Sequence, residues 1–181
     1  IYDRVITLLV LFGGGLALID RLSAGLAQTL SLGLYGRGVI FCLALALLFT
    51  LASLPTDLYS TFGLEAKFGF NKITLGLYVT DRLKGAIVGL VIGVPFLLVL
   101  FWLMDVMGDY WWLWAFTFIS AFQLVMIVIF PAFIAPWFNN FEPLKDGEFR
   151  ERILALAKQL RFHTSGIFTM DGSKRSGHSN A

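Results

Sequence analysis

The sequence predicts a mainly α-helical fold: a polytopic transmembrane helical bundle followed by the start of a small α+β domain. Of the 181 residues, 57% are hydrophobic and 14% are charged, whereas soluble domains average about 45–50% and about 25%. Twelve charged residues fall within residues 1–84, two within 85–134 and twelve within 135–181. The apolar composition excludes a disordered chain, and a net charge of +2 without a basic stripe excludes a nucleic-acid partner. The sequence therefore predicts a lipid-facing part, residues 1–134, and an aqueous part after it.

Residues 5–19 form the first predicted span. As a helix this apolar run reaches only about 22 Å of the roughly 30 Å hydrocarbon layer, so it crosses only if neighbouring residues lengthen it. A secretory signal peptide is the alternative, because Arg4 precedes the run, but no clear small-x-small cleavage site follows. We favour the span because further apolar segments follow downstream.

Three further segments are predicted to cross the membrane. Residues 38–54 carry no charge, and the Pro55 that follows them is expected to end their helix. Residues 85–104 are also uncharged and long enough to cross, while residues 111–134 begin with a tryptophan-rich belt that is typical of the membrane boundary. A polar loop, residues 55–84, is expected between the second and third spans.

The distribution of lysine and arginine predicts the orientation of these spans. The 55–84 loop and the tail after residue 134 are rich in both residue types, whereas the hairpin at 105–109 contains neither. Cytoplasmic segments carry the excess of positive charge, so the loop and the tail are expected in the cytoplasm. Short loops and the lack of a visible eukaryotic targeting signal favour a bacterial inner membrane over the endoplasmic reticulum.

The residues after 134 are predicted to begin a soluble domain. Asp146 is expected to cap an amphipathic helix. The apolar face of that helix consists of Phe149, Ile153, Leu156, Ala157 and Leu160. Residues 167–171 have the composition of a short strand, residues 171–173 that of a turn, and residues 176–181 that of a second extended segment. The pattern therefore predicts the start of a helix-plus-sheet unit.

Two features inside the spans concern helix packing. Gly85, Gly89 and Gly93 share one helical face, which would let another helix approach closely. Packing within the same bundle is favoured over a dimer interface, because glycine is common in membrane helices. Gln123 lies in the middle of the fourth span and needs a polar partner, and a water-filled cavity and an interhelical hydrogen bond both stay open.

The residue types that carry catalysis do not form a complete set in this sequence. A serine triad drawn from Asp171, His178 and Ser179 is disfavoured, because adjacent strand residues face opposite ways and triads join distant elements. His163, His178 and Cys42 are the only soft metal donors, and the sequence has no H-E-x-x-H. Cys42, the single cysteine, lies in an apolar run and is expected to be a buried side chain. The sequence therefore predicts no complete metal site within the chain.

Three polar segments resemble those of a known family. They are Leu-Pro-Thr-Asp-Leu-Tyr-Ser-Thr-Phe at 54–62 with Phe-Gly-Phe-Asn-Lys-Ile-Thr at 68–74, Ile-Ala-Pro-Trp-Phe-Asn at 134–139, and Asp-Gly-Ser-Lys-Arg-Ser-Gly-His-Ser-Asn-Ala at 171–181. In this order they resemble the type I C-a-a-X prenyl protease family of integral membrane zinc metalloendopeptidases. The resemblance runs from about residue 37 to the end. It departs from the family at Gly177, where serine is usual, and at Trp137, where leucine is usual.

The resemblance implies a complete protein of about seven membrane spans around a hydrophilic chamber, onto which a zinc protease domain opens. This chain would be its N-terminal portion, residues 135–181 being the beginning of the catalytic domain. All zinc ligands, including an H-E-x-x-H helix and a glutamate, would lie beyond Ala181, so the fragment alone would be inactive. Zinc and a glutamate base would activate a water to cut peptides or proteins, prenylated or not, near their C-terminus. The partners implied are the bilayer and the remaining C-terminal part of the protein.

His178, Asn180 and Ala181 are the substrate-binding residues that the resemblance implies. An exposed strand edge binds an extended peptide through main-chain hydrogen bonds, to which Asn180 would add a side-chain amide. Strand physics alone favours a merely solvated face at these positions, whereas the order of the motifs favours substrate binding. The alternative function is a non-catalytic carrier or scaffold, but the sequence lacks the paired broken helices and intramembrane charges of a carrier.

Overall fold

The computed structural model describes residues 2–162, 164, 166–175 and 177, with side chains from residue 5 onward. The helices are α1 (Tyr2–Phe12), α2 (Gly15–Thr29), α3 (Leu34–Leu58), α4 (Leu75–Val106), α5 (Trp111–Ile129), α6 (Ala135–Phe138) and α7 (Glu148–Gln159). Two strands, β1 (Phe141–Pro143) and β2 (Phe168–Met170), form an antiparallel pair. The predicted mainly α-helical fold with a small sheet is confirmed.

Three continuous helical rods among the described residues are long and apolar enough to cross a membrane. They are Leu34–Glu65, Leu75–Val106 and Gly108–Phe138. The bent pair of α1 and α2 adds a fourth crossing if it is one span. A lipid environment requires every backbone polar group to find its partner within the chain, which a helix provides. The chain is therefore an integral membrane protein.

The first predicted span, residues 5–19, is not one straight helix. It is broken after Phe12, and the helices on either side are bent by 64° relative to each other. Gly14 takes the left-handed conformation at φ 81°, which a residue with a side chain rarely adopts. A Cβ atom on Gly13 would lie 2.4 Å from the Leu9 carbonyl oxygen. The glycines therefore produce the break, which apolarity alone did not indicate.

The prediction that Pro55 ends the helix of the second span is wrong. Helix α3 continues past this proline to Leu58, and a π-helical segment, Tyr59–Glu65, extends the rod. Proline removes one backbone hydrogen bond, and the helix continues through it because the other backbone groups keep their helical partners. Helix α4 then begins at Leu75, capped by the Thr74 hydroxyl that accepts the Leu77 N–H at 3.2 Å. Most of the predicted 55–84 loop is therefore helical, and the irregular part is short.

Helices α3 and α4 approach each other closely at Gly38, a position that the sequence analysis did not identify as a packing site. A Cβ atom on Gly38 would lie 2.8 Å from Cε2 of Phe101. By contrast, a Cβ atom on Gly85, Gly89 or Gly93 would meet no atom of the described residues within 4 Å. The predicted packing of that glycine face is therefore not met by this part of the chain. For the complete protein it stays a prediction.

Aromatic rings join α4 to α5. The ring of Phe96 lies 5.2 Å from that of Phe118 and 4.7 Å from that of Phe122, measured between centroids. Such pairs stabilise a contact beyond the area they bury. The side chain of Gln123, next to this cluster, is exposed and has no hydrogen-bond partner among the described residues. The water-filled cavity and the interhelical hydrogen bond predicted for it therefore both stay open.

The part after α6 contains the elements expected of a helix-plus-sheet unit, with two differences. The residue before the first turn of α7 is Gly147, not Asp146, because Asp146 instead pairs with Arg150 one turn into the helix. Strand β1, which pairs Phe141 with Met170, was not predicted, since three residues are too few to show an alternating pattern. The apolar face of α7 stays largely exposed, with Phe149 at 69% exposure.

Candidate functional site

The residues predicted to bind substrate, His178, Asn180 and Ala181, lie outside the described residues, as does His163. The description reaches Arg175 and Gly177, which directly precede them. The geometry available is therefore that of Arg175 and the side chains that hold it, Asp81 and Asn139, which we call the anchor. The segment 176–181 continues from it.

Arg175 is held by a carboxylate on a membrane helix. Its Nε donates to Oδ2 of Asp81 at 2.7 Å, and its Nη2 donates to Oδ1 of the same residue at 3.1 Å. Asp81 lies in the second turn of α4, ninety-four positions earlier in the chain. The side chains of Arg175 and Asp81 are 25% and 19% exposed. In every other ion pair among the described residues, at least one side chain is more than 40% exposed. These bonds raise the pKa of Arg175 above its ordinary value, and the two-pronged geometry fixes the orientation of the guanidinium.

The remaining donors of Arg175 bind the end of the last membrane rod. Nη1 donates to Oδ1 of Asn139 at 2.6 Å, and Nη2 donates to the carbonyl oxygen of Phe138 at 2.5 Å. Phe138 is the last residue of α6, and the final carbonyls of a helix have no partner within it. A guanidinium placed there satisfies one of them and suits the negative end of the helix dipole. One side chain thus connects two membrane rods to the segment that follows it.

Backbone hydrogen bonds hold the chain at Arg175 itself and two residues after it. The N–H of Lys72 donates to the carbonyl of Arg175 at 3.3 Å, and the N–H of Gly177 donates to the carbonyl of Phe70 at 2.7 Å. This spacing is that of an antiparallel pairing, with Lys72 bonded to Arg175 and Phe70 to Gly177. A Cβ atom on Gly177 would meet its nearest neighbours at 3.5 Å, an ordinary contact, so the serine usual in the family would fit here.

Asp171 holds the turn before Arg175. Its Oδ2 accepts from Nζ of Lys174 at 2.7 Å, and its Oδ1 accepts from the backbone N–H of Asn140 at 2.9 Å. The lysine, followed by the Asn140 N–H, lowers the pKa of Asp171 below its ordinary value of 3.8. The predicted turn at 171–173 is a short 3-10 helix, Gly172–Lys174. Carboxylate and guanidinium together tie the turn to the residues that follow α6.

A second ion pair lies at the same end of the bundle but does not touch this segment. Arg82 donates to Oδ2 of Asp57 at 2.5 Å and to the Tyr78 hydroxyl at 3.1 Å. The Tyr78 ring in turn packs edge-on against Phe62, with centroids 5.6 Å apart. Two aromatic residues of the predicted 55–84 loop therefore pack on each other here. We call this end, where Asp57, Asp81 and Asn139 lie, the tail end.

The opposite end of the bundle carries a crevice of about 600 Å³ with mainly apolar walls. Tyr35 donates to Oδ2 of Asp105 at 2.6 Å beside it, and Arg37 pairs with Asp20 at 2.7 Å. Asp105 lies twenty-four residues after Asp81 on α4, which corresponds to about 36 Å along the helix. The crevice is therefore remote from Arg175 and lies at the end of the bundle where the predicted 105–109 hairpin is located, the hairpin end.

The described residues do not fit a zinc ion. No group of three or more His, Cys, Asp or Glu side chains converges within them, whereas a catalytic zinc requires about three such ligands. Cys42 is half-buried on α3 and lines the crevice at the hairpin end. Within the described ranges, the chain thus offers an anchor and no metal centre.

Sequence reasoning missed the role of Asp81 and Asn139. Asp81 was one of several charges in a supposed loop, and Asn139 was noted only as part of a motif. Two signals were present: a carboxylate just inside a long apolar helix, and an arginine within the third motif. Their pairing across the chain could not be seen without coordinates.

Residues 1–140 match the family model described as the N-terminal region of CAAX prenyl proteases, with five membrane helices. A CAAX prenyl protease 1 homolog of Arabidopsis thaliana is 44% identical over 133 residues, which cover 72% of this chain and 31% of the relative. The Homo sapiens homolog is 34% identical over 184 residues, which cover 100% of this chain and 39% of the relative. The crystal structure of S. mikatae Ste24p superposes with a TM-score of 0.89 at 34% identity, covering 99% of this chain and 42% of that one. The chain spans about a third of the length of the curated relatives it matches.

Proposed function

The chain belongs to the CAAX prenyl protease family, as part of its membrane-embedded N-terminal region, and from this membership we propose that the complete protein is a zinc metalloendopeptidase. It would cut peptide bonds near the C-terminus of its substrates, inside a chamber bounded by membrane helices. The resemblance seen in the three polar motifs is thereby confirmed at the level of the family. The activity, the metal and the substrate are the proposed part.

One observation carries the proposal for this chain: the docking of Arg175 onto Asp81 and Asn139. The chain that leads to His178, Asn180 and Ala181 follows the helix-plus-sheet unit and is docked at Arg175 against the ends of two membrane rods. A peptide with an apolar tail could therefore keep its tail among the helices while its backbone reaches the segment. This arrangement supports a membrane protease better than a protease acting on water-soluble chains alone.

Within this proposal, His178, Asn180 and Ala181 bind the substrate. An extended peptide would pair its main chain with the edge of the segment, and the Asn180 amide would hold the peptide in place. The zinc would be bound by residues beyond Ala181, where the family resemblance puts the H-E-x-x-H helix that the sequence up to Ala181 does not contain. The part of the protein that follows would thus complete the site, and the 181-residue chain alone would be inactive.

The tail end of the bundle is proposed to face the cytoplasm. It carries the basic residues Arg82, Lys84 and Arg175, and positively charged segments remain on the cytoplasmic side. The relatives named above come from eukaryotes, so they lend no support to the expected bacterial inner membrane. That location stays a prediction.

The proposal is tested by reconstituting the complete protein in lipid vesicles. Two fluorogenic peptides that end in C-a-a-X, one prenylated and one not, are incubated with the zinc-loaded protein. Cleavage that stops on chelation and returns with added zinc is expected, and the ratio between the peptides reports whether the prenyl group is required. Failure of the zinc-loaded protein to cut either peptide would contradict the proposal.

A further inference from the structure

Arg175 links the membrane rods to residues 176–181, the segment that carries the proposed substrate-binding residues. Its four side-chain hydrogen bonds reach α4 through Asp81 and the end of α6 through Asn139 and Phe138. Its own carbonyl accepts from the Lys72 N–H, and two positions later the Gly177 N–H donates to the Phe70 carbonyl. Every donor nitrogen of the guanidinium is therefore engaged, and the main chain at this residue is fixed as well.

The short distance along the chain makes this anchoring relevant to substrate binding. Asn180 is five positions after Arg175, so an extended chain separates their Cα atoms by at most about 18 Å. A displacement of residue 175 would also displace the residues after it. Such a shift would matter, because main-chain pairing with a peptide requires hydrogen-bond distances to within a few tenths of an ångström. A weak or mobile anchor would lower the fraction of the protein able to bind a peptide.

We propose that Arg175 is a positioning residue for the substrate, through which helix α4 and its carboxylate Asp81 set where the substrate-binding segment lies. This inference rests on the proposed function. The geometry favours a role in positioning the substrate over one in general stability. The guanidinium donates hydrogen bonds to two rods at once, and residues 176–181 follow it directly in the chain. Arginine suits this task, since a lysine at the same place would supply one point charge and no fork.

The second ion pair at the tail end supplies a matched control. Arg82 and Asp57 also join two membrane rods, at 2.5 Å, and neither contacts residues 171–177 among the described contacts. Removing the Asp57 carboxylate therefore disturbs the bundle at nearly the same depth without touching the anchor. A difference between Asp81→Asn and Asp57→Asn isolates the anchor.

The experiment measures peptide cleavage by the complete zinc-loaded protein. For Asp81→Asn we expect KM to rise about tenfold while kcat stays within about twofold, since an interaction that serves binding in both ground and transition state appears in KM. For Asp57→Asn both constants should stay within about twofold. Zinc content and the thermal midpoint are measured in parallel, and both variants should retain the zinc of the wild type.

Further variants separate positioning from folding. Arg175→Lys should give an intermediate KM, and Arg175→Gln should resemble Asp81→Asn. The double variant Asp81→Asn/Arg175→Gln should be no worse than the poorer single one, because each removes the same interaction. If Asp81→Asn does not accumulate, Asn139→Ala removes one contact of the guanidinium and should raise KM by a smaller factor.

Two failures can be told apart. A wild-type protein that cuts no peptide contradicts the proposed function itself. A wild-type protein that cuts peptides, with Asp81→Asn and Asp57→Asn equal in KM, overturns the positioning role alone. A loss of zinc or of kcat at unchanged KM in Asp81→Asn would likewise overturn it, since that pattern belongs to a structural role.

Discussion

Replacing Gly38 by leucine tests the packing of α3 against α4. The Cβ atom that leucine would add lies 2.8 Å from Cε2 and 3.0 Å from Cζ of Phe101, closer than carbon atoms tolerate. Either the ring must turn away or α3 must move from α4 by several tenths of an ångström. Overpacking of this kind costs about 1–3 kcal/mol. The helix gains up to about 1 kcal/mol from losing a glycine, so the net change alone would hide the steric effect.

Gly25 on α2 provides the matched control, because a Cβ atom there meets nothing within 4 Å among the described residues. Gly25→Leu gains the same propensity without the clash. The free energy of unfolding of both variants is measured by titrating the complete protein, in mixed micelles, with a denaturing detergent. We expect Gly38→Leu to be less stable than Gly25→Leu by about 1–3 kcal/mol, and Phe101→Ala to relieve part of that difference. Equal stabilities at the two positions would refute the close approach of α3 and α4.

Three further results are expected. Asn180→Ala should lower kcat/KM for peptide cleavage in the complete protein by more than it lowers bound zinc, measured by atomic absorption; unchanged turnover would exclude its role at the strand edge. A pure fragment of residues 1–181 should bind no stoichiometric zinc in a calorimetric titration, and nanomolar affinity would show that a ligand set had been overlooked. The pKa of Asp171 is lowered below 3.8, so its contribution to the turn is complete at neutral pH and is lost as the pH falls through the folded value. Hydrogen exchange in residues 171–175 should therefore not follow titration of Asp171 between about pH 5 and 8, whereas Asp171→Asn should speed it throughout; a midpoint near neutral pH would contradict this.

The membrane rods could be predicted from the sequence because lipid imposes a simple requirement on composition. An uncharged apolar stretch such as residues 85–104 must be helical in lipid, because ending the helix there would leave backbone polar groups without hydrogen-bond partners. The error at Pro55 has a different cause: a proline removes one backbone hydrogen bond, and a rod that continues to Glu65 tolerates that loss. The break after Phe12 escaped notice for a different reason, since it depends on the backbone conformation of Gly14 and not on hydropathy.

The candidate site was less accessible to sequence reasoning. The motif at 171–181 could be recognised because the order of motifs is a property of the sequence, and the substrate-binding role of His178, Asn180 and Ala181 stays a prediction. The partner of Arg175 is a property of the fold: Asp81 and Asn139 come together only when α4 and α6 are packed side by side. Likewise, the glycine face at Gly85 looked like a packing surface, whereas the observed close contact lies at Gly38.

Hydrogen exchange at Gly177 tests the docking of the substrate segment most directly. In the complete protein its amide donates to the Phe70 carbonyl at 2.7 Å, so exchange of this amide should be slow while Arg175 holds the segment against α4. In Arg175→Gln the rate should increase by about tenfold or more, because local opening becomes easier, and in Asp57→Asn it should not change. Equal rates at Gly177 in the wild type and in Arg175→Gln would contradict the anchor.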